Sequence, residues 1–353
     1  MTILRPISIL ACLLMLGASA AAQVSLSPPG AATPPAAAKP KAKAHVVAKK
    51  PAATPKPAAT PAPDATVTPA PEPDDPNVDL VYGAYQRGMY KTAFDLAIKR
   101  AQDKGDPKAM TMLGELYDNA MGIKRDSAKA AEWFKRAADA GDREAMFALA
   151  MMRLAGRGGP TNREEAVKLL ASSAKLGEPK AAYNLALLYI DGQTLPQDLK
   201  RAAELLRQAA DAGNPEAQYA LATFYKEGNG VPKDMEKAVW LLQAASLADN
   251  VDAEVEYAIA LFNGTGTPQN QPAAVALLRK AAKQGSPIAQ NRLASVLVNG
   301  MGAPMDKIEG LKWHLIAKTA GKGDPLLDEA LGQLSPEDRA KAEAAARKWL
   351  GTK

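Results

Sequence analysis

The side chains most often used in catalysis and metal binding are scarce in this sequence. It contains one cysteine, Cys12, and two histidines, His45 and His314, among 353 residues. Cys12 lies in an N-terminal segment that we expect to be removed, so the mature chain would have no thiol for disulfides, metal binding or nucleophilic catalysis. Two histidines are too few for a histidine-rich zinc site. The sequence therefore predicts no catalytic residue, no metal site and no cofactor.

His314 and two short motifs are the remaining candidates for chemistry, and each has a structural explanation. His314 follows Trp313 on a predicted helix, where a lone histidine is expected to be a partly exposed surface residue. Residues 156–159, Gly-Arg-Gly-Gly, lie between two predicted helices and are interpreted as a turn. Glu164 and Glu165 fall in the first turn of a helix, where negative charge complements the helix dipole. The sequence also lacks a GxSxG motif, so we predict that it is not an enzyme.

The formal net charge of +6 is spread along the sequence. Arg5 and six lysines within residues 39–56 supply much of the excess. No basic block falls on a predicted helix with interleaved aromatic residues, whereas nucleic-acid binding requires a clustered basic surface. We therefore predict no nucleic-acid partner.

Residues 1–22 have the composition of a secretory signal peptide. Arg5 provides a basic start, residues 7–16 form an apolar run, and small residues allow cleavage after Ala20 or Ala22. The apolar run is short for a membrane span, which needs ~20 residues. We expect a periplasmic or secreted protein. The alternative is an uncleaved segment that anchors the chain in the inner membrane.

Residues 23–74 consist mainly of proline, alanine, threonine and lysine. Such a composition cannot bury a core and favours an extended, disordered linker. Two interpretations of this linker stay open. It is either a solvated spacer or a lysine-rich tether that associates weakly with anionic polymers of the cell envelope.

A period of 36 residues dominates the rest of the sequence, and six blocks follow one another over residues 105–320. Asp249 takes the position that glycine holds at the start of the other blocks, which are marked by Gly105, Gly141, Gly177, Gly213 and Gly285. Position five is alanine in every block, and position nine is leucine or tyrosine, as expected for one packed helix face. Position 22 is always aspartate or asparagine, the preferred residues at a helix N-cap.

Each block is therefore predicted to be a helix–turn–helix hairpin, with glycine and proline breaking the chain between its helices. Stacked hairpins share a continuous core, which predicts an all-α, right-handed α-solenoid preceded by the linker. The ends differ from the blocks. Residues 75–104 are predicted to form a capping hairpin that turns at Gly88, and residues 321–353 are predicted to form capping helices that include one starting after Ser335.

The blocks resemble the Sel-one-like repeat family, a relative of the tetratricopeptide repeat. The fourth block carries the pattern most clearly, in Ala217, Leu221, Ala222, Tyr225, Gly228, Gly230, Pro232, Asp234 and Ala238. Ala120, Lys124 and Arg153 depart from it and question the packing of the first two blocks. The resemblance implies an adaptor that assembles complexes. Some cysteine-rich exported members are linked to β-lactam binding or hydrolysis, but this sequence lacks their cysteines.

The resemblance to tetratricopeptide repeats implies that the first helices line a concave groove. Block positions seven, eleven, fourteen and fifteen would then face the groove, and five candidates for gripping an extended peptide or protein segment follow: Phe147, Met151, Tyr183, Leu187 and Tyr219. Alternatively, position seven is aromatic because it packs between hairpins.

We expect a monomeric, exported scaffold that binds a protein or peptide. Two alternatives remain, a β-lactamase-like envelope hydrolase and a module that associates with peptidoglycan or another glycan.

Overall fold

The computed structural model describes residues 79–351, which form sixteen α-helices and no β-strand. The predicted signal peptide, its cleavage positions after Ala20 and Ala22, and the predicted linker over residues 23–74 all lie outside this described range.

Twelve of the helices form six hairpins, each with a first helix (A helix) and a second helix (B helix). The A helices are α3 (Pro107–Asn119), α5 (Arg143–Ala155), α7 (Pro179–Asp191), α9 (Pro215–Glu227), α11 (Val251–Asn263) and α13 (Pro287–Val298). The B helices are α4 (Ser127–Asp139), α6 (Arg163–Lys175), α8 (Leu199–Asp211), α10 (Met235–Leu247), α12 (Gln271–Lys283) and α14 (Lys307–Thr319). The all-α solenoid expected from the 36-residue period is confirmed.

Side-chain caps determine where the B helices begin. The aspartate or asparagine before each one accepts a hydrogen bond from a backbone N–H group of the first helical turn, as these residues commonly do at N-caps. The six capping residues are Asp126, Asn162, Asp198, Asp234, Asn270 and Asp306. The predicted role of block position 22 is therefore confirmed in every repeat.

Small residues allow neighbouring helices to pack closely. The alanine at block position five is at most 2 % exposed in all six A helices. Each B helix packs against the A helix of its own hairpin, and the first five B helices also pack against the A helix of the next hairpin, so the core continues from one repeat to the next. Burial of this apolar surface is the main favourable contribution to the stability of the stack.

Ala120 and Asp249 keep the repeat geometry although each replaces a glycine. Their φ angles are 56° and 59°, in the left-handed region that glycine adopts without a steric penalty. Arg153, which replaces the tyrosine of the repeat pattern, forms an ion pair of 2.9 Å with Glu165 in the same hairpin. The departures at Ala120 and Arg153 are therefore accommodated locally.

The loop between the two helices of a repeat contacts the preceding repeat. Gly230 has φ of 65°, and a Cβ atom on it would overlap the carbonyl oxygen of Leu199, the first residue of α8. A Cβ atom on Gly158 would likewise overlap the carbonyl oxygen of Ser127, the first residue of α4. Residues 156–159 are thus a turn, as predicted, and the contact explains why a glycine is needed there.

Four further helices lie at the two ends of the stack. At the N-terminal end, α1 (Leu80–Gln86) and α2 (Tyr90–Lys104) form a short hairpin that turns at Gly88. At the C-terminal end, α15 (Pro325–Gly332) and α16 (Pro336–Gly351) follow the last repeat. Helix α16 packs on α14, where the rings of Trp313 and Trp349 make an edge-to-face contact with centroids 5.1 Å apart.

Candidate interaction surface

The five candidate residues lie on three consecutive A helices. Phe147 and Met151 share one face of α5, Tyr183 and Leu187 share the same face of α7, and Tyr219 occupies the corresponding position on α9. Phe147, Met151, Tyr183 and Tyr219 are half-buried, so each presents part of its side chain to solvent. Leu187 is only 5 % exposed and contributes to packing. We call the four half-buried residues the A-face strip.

Block position fourteen is less exposed to solvent than the resemblance to tetratricopeptide repeats implies. Ile190, Phe262 and Val298 occupy this position in the third, fifth and sixth repeats, and all three are buried. These side chains fill the core and offer no surface to a partner. The solvent-accessible part of the A helices is therefore narrower than expected.

Tyr219 is held in place by charged groups of the next repeat. Its hydroxyl donates a hydrogen bond of 3.1 Å to Oε1 of Glu256, and Nζ of Lys226 lies 2.7 Å from Oε2 of the same carboxylate. Burial, followed by the negative charges of Glu256 and Asp252, raises the pKa of the Tyr219 hydroxyl above its usual value. Tyr219 is thus a neutral hydrogen-bond donor at physiological pH, with its ring fixed beside two carboxylates.

Carboxylates accumulate elsewhere on the A helices. Burial and the charge of Glu216 raise the pKa of the Tyr183 hydroxyl. Burial and the charge of Glu256 raise the pKa of Asp252. Burial and the charge of Glu144 likewise raise the pKa of Glu115 on α3, although Lys180 opposes the effect. Asp252 and Glu256 repel each other's ionised forms, which favours a cation beside Tyr219.

Two of the A helices, α9 and α11, show the same excess in their sequences. Together α9 and α11 contain five carboxylates and a single cationic side chain, Lys226. Sequence reasoning had missed Asp252 and Glu256 as neighbours of Tyr219. The sequence does place Asp252 and Glu256 on α11, the A helix of the next repeat. They lie on the face that corresponds to the face of α9 that carries Tyr219.

His314 is buried, which corrects the expectation of a partly exposed surface residue. Its side chain has no exposed area, and its Nε2 atom lies 2.8 Å from Oδ1 of Asp328 on α15. The same carboxylate oxygen accepts a hydrogen bond of 2.7 Å from Lys318. His314 therefore helps to attach the C-terminal helices, and the wrong expectation arose because α14 alone does not reveal that α15 covers it.

The other motifs singled out in the sequence have local partners. Glu164 forms an ion pair of 2.6 Å with Lys168, one helical turn away, and Arg157 of the glycine-rich loop pairs with Asp118 at 2.7 Å. Within residues 79–351, no group of three or more histidine, cysteine, aspartate or glutamate side chains is arranged to hold a metal ion. None of the helices in this range is long and apolar enough to span a membrane.

Comparison with solved structures finds the same architecture. A Sel1 repeat protein from Oxalobacter formigenes is 28% identical, with a TM-score of 0.61 over 68% of this chain and 98% of that one. A protective antigen present in uropathogenic Escherichia coli strains, which displays an SLR fold, is 23% identical, with a TM-score of 0.52 over 76% of this chain and 67% of that one. No curated protein matches the chain.

The Sel1 repeat family model matches six consecutive segments of 36 residues: 107–142, 143–178, 179–214, 215–250, 251–286 and 287–322. These segments begin two residues after the blocks read from the glycine period, so that each starts with an A helix. Proteins built from such repeats generally mediate protein–protein interactions. The chain belongs to the Sel1 repeat family.

Proposed function

We propose that this protein is an exported scaffold that binds a protein or peptide segment across the A-face strip. The observation that carries the proposal is the half-buried state of Phe147, Tyr183 and Tyr219 at one repeat position on three consecutive A helices. Aromatic side chains that are fixed by packing yet partly exposed give a large contact area at a low entropic cost.

The charges beside Tyr219, at one end of the strip, favour a basic residue of the partner. Four carboxylates and one lysine on the solvent-accessible faces of α9 and α11 create a negative field beside Tyr219. A lysine or arginine of the partner would be attracted to Asp252 and Glu256 and would lie close to the tyrosine rings, where a cation–π contact adds to the attraction. Binding should therefore weaken as ionic strength rises.

The proposal includes no catalytic step. His314 is enclosed between α14 and α15, so its imidazole does not reach a substrate from solvent. Export is proposed only from the sequence of residues 1–22. The predicted linker would hold the repeats away from the export site or membrane.

Photo-crosslinking in intact cells, with the photoreactive residue at position 223 on α9, tests the binding surface. The wild-type background should give a crosslinked partner that mass spectrometry identifies, and Tyr183→Ala/Tyr219→Ala should abolish the crosslink while circular dichroism shows unchanged helicity. Tyr82→Ala is the matched control, because Tyr82 is an exposed tyrosine outside the strip. Loss of helicity in the double variant would assign the tyrosines to packing, and an unaltered crosslink in a folded double variant would contradict their role in binding.

A further inference from the structure

Each of the two tyrosines of the A-face strip has a carboxylate of the next repeat beside it. Burial and then the nearby charge of Glu216, at the start of α9, raise the pKa of the Tyr183 hydroxyl. Asp252, at the start of α11, follows burial and Glu256 among the causes that raise the pKa of the Tyr219 hydroxyl. Glu216 and Asp252 both occupy block position four, and both are exposed. The strip therefore carries two tyrosine–carboxylate pairs, Tyr183 with Glu216 and Tyr219 with Asp252, one repeat apart.

The carboxylates of the two pairs are free to bind a cation. Within the part of the chain that the structure describes, no cationic side chain forms an ion pair with Glu216 or Asp252. Lys226 is the one cation of α9, and its Nζ atom lies 2.7 Å from Oε2 of Glu256, whose charge it offsets. Each pair therefore offers an aromatic ring beside a negative charge that has no counter-ion, and this combination attracts a lysine or arginine side chain.

The third aromatic residue of the strip has the opposite charge beside it. Lys180 holds block position four in the third repeat, where the next two repeats have Glu216 and Asp252, and it is exposed. Because the repeats are equivalent, Lys180 lies beside Phe147 as Glu216 lies beside Tyr183. A basic residue of a partner would be repelled there, so Phe147 suits an apolar residue. The strip thus selects a basic residue at two consecutive repeats and an apolar residue at the repeat before them.

Consecutive A helices are direct neighbours, which sets the distance between the two pairs. The hydroxyl of Tyr219 on α9 donates to Glu256 on α11 at 3.1 Å. The hydroxyl of Thr111 on α3 donates to Asp142, the N-cap residue of α5, at 3.0 Å. The axes of neighbouring helices are usually about 8 to 10 Å apart, so the two tyrosine–carboxylate pairs are separated by about 10 Å.

Among the regular backbone conformations, polyproline II matches this separation best. It has three residues per turn and rises ~3.1 Å per residue, so residues i and i+3 point to the same side about 9 Å apart. A β-strand presents residues i, i+2 and i+4 on one side, at about 7 and 13 Å. An α-helix matches only at i and i+7, and its diameter of about 10 to 12 Å suits a wider groove than the narrow accessible face of the A helices.

We propose that the A-face strip binds a polyproline II segment of a partner protein that carries lysine or arginine at positions i and i+3, one beside each tyrosine–carboxylate pair. The residue three positions away on the side of Phe147 is apolar. Aromatic-lined surfaces commonly recognise segments in this conformation, because little conformational entropy is lost when they bind. This inference rests on the binding function proposed above and specifies the sequence of its partner.

The test is a spacing series of synthetic peptides. Each is a proline-rich peptide of about twelve residues, or four turns of polyproline II, with two arginines separated by two, three, four or five positions. A further peptide places the arginines seven positions apart in an alanine-rich helical sequence. Fluorescence anisotropy with the full chain measures the dissociation constants at low ionic strength. Glu216→Gln/Asp252→Asn removes both charges, and Glu132→Gln/Glu236→Gln is the matched control, because its carboxylates are exposed on the B helices α4 and α10.

The peptide with a separation of three should bind the wild type and the control at least about fivefold more tightly than the other peptides. Glu216→Gln/Asp252→Asn should bind all of them equally weakly. Lys180→Glu should bind a peptide with arginines at i, i+3 and i+6 more tightly than the wild type does, because it places a carboxylate beside Phe147 as well.

The proposal is overturned if the wild type binds none of the peptides, shows no preference, or prefers another separation or the helical peptide. It is also overturned if the preference persists in Glu216→Gln/Asp252→Asn, or if Lys180→Glu gains no affinity for the peptide with three arginines. A tyrosine-dependent crosslink in cells together with any of these results would contradict only the inferred partner sequence and would leave the function proposed above intact.

Discussion

The Nζ atom of Lys280 on α12 lies 3.6 Å from Oε2 of Glu254 on α11, a carboxylate of the same hairpin that has no solvent exposure. Neither oxygen of Glu254 accepts a hydrogen bond. The same repeat position holds Gln218 on α9 and Gln290 on α13. Both amides donate to a carbonyl of the preceding B helix, Gln218 to Ala210 at 3.3 Å and Gln290 to Ala282 at 3.1 Å.

Replacing Glu254 with glutamine should therefore stabilise the protein at neutral pH. The new amide could donate to the carbonyl of Ser246, which corresponds to those of Ala210 and Ala282. We expect the free energy of unfolding to rise by about 1 to 3 kcal/mol, the typical cost of a buried polar group without a partner. Urea denaturation of the full chain measures the change. Gln290→Glu is the reciprocal variant and should destabilise. A loss of stability in Glu254→Gln would mean that the Lys280 contact dominates.

The benefit of Glu254→Gln should also depend on pH. Burial raises the pKa of Glu254 above its ordinary value of 4.5, and Lys280 only partly opposes this effect. The folded state therefore binds this proton more tightly than the unfolded state, so the contribution of Glu254 to stability falls as pH rises from 4.5 through the raised pKa. The difference in stability between Glu254→Gln and wild type should grow over that interval in denaturation curves measured at several pH values. A constant difference would contradict the assignment.

Ala120→Gly should stabilise the first repeat. Ala120 ends α3 with φ of 56°, where other A helices end at a glycine such as Gly156 or Gly228. Removing the Cβ atom relieves a left-handed conformation that costs an alanine about 1 kcal/mol. Thermal denaturation measures the gain. Ala140→Gly is the control, because Ala140 ends α4 with φ of −84° and should gain nothing.

Gly230→Ala and Gly213→Ala should differ sharply in cost, although both glycines have positive φ. At Gly213 a Cβ atom meets no other atom within 4 Å, so only the backbone penalty of about 1 to 2 kcal/mol applies. At Gly230 the Cβ atom would also overlap the carbonyl of Leu199, which should bring the total to about 2 to 5 kcal/mol. Hydrogen exchange should show the additional loss at the start of α8. Equal costs would mean that the loop moves away without penalty.

Most of the fold was predictable because the repeat makes each signal appear six times. Asp126 and its five equivalents identify where the B helices start, and a cap is a local interaction that the sequence reveals directly. The burial of Glu254 and His314 was not predictable in the same way. Glu254 lies at a position where other repeats have glutamine, methionine or alanine, and His314 is covered by a helix outside the repeat period.

The candidate surface was only partly predictable for a related reason. Periodicity identifies the face of α7 on which Tyr183 and Leu187 lie, but it does not distinguish a half-buried tyrosine from a leucine that is 5 % exposed. The environment of Tyr219 depends on Glu256, 37 positions later, and such a pairing follows only from the way in which consecutive repeats are stacked.

In five of the six repeats, the loop between the two helices contacts the hairpin that precedes it in the sequence. Gly230, Gly266 and Gly302 each lie against the first residue of the B helix of the repeat before, and Gly122 lies against Tyr90 at the start of α2. When a hairpin emerges from the ribosome, the residue that its loop contacts has therefore already been synthesised. The contact does not depend on the hairpin that follows. Assembly of the stack can proceed vectorially, one hairpin at a time from the N-terminal end, with each addition closing over a finished neighbour.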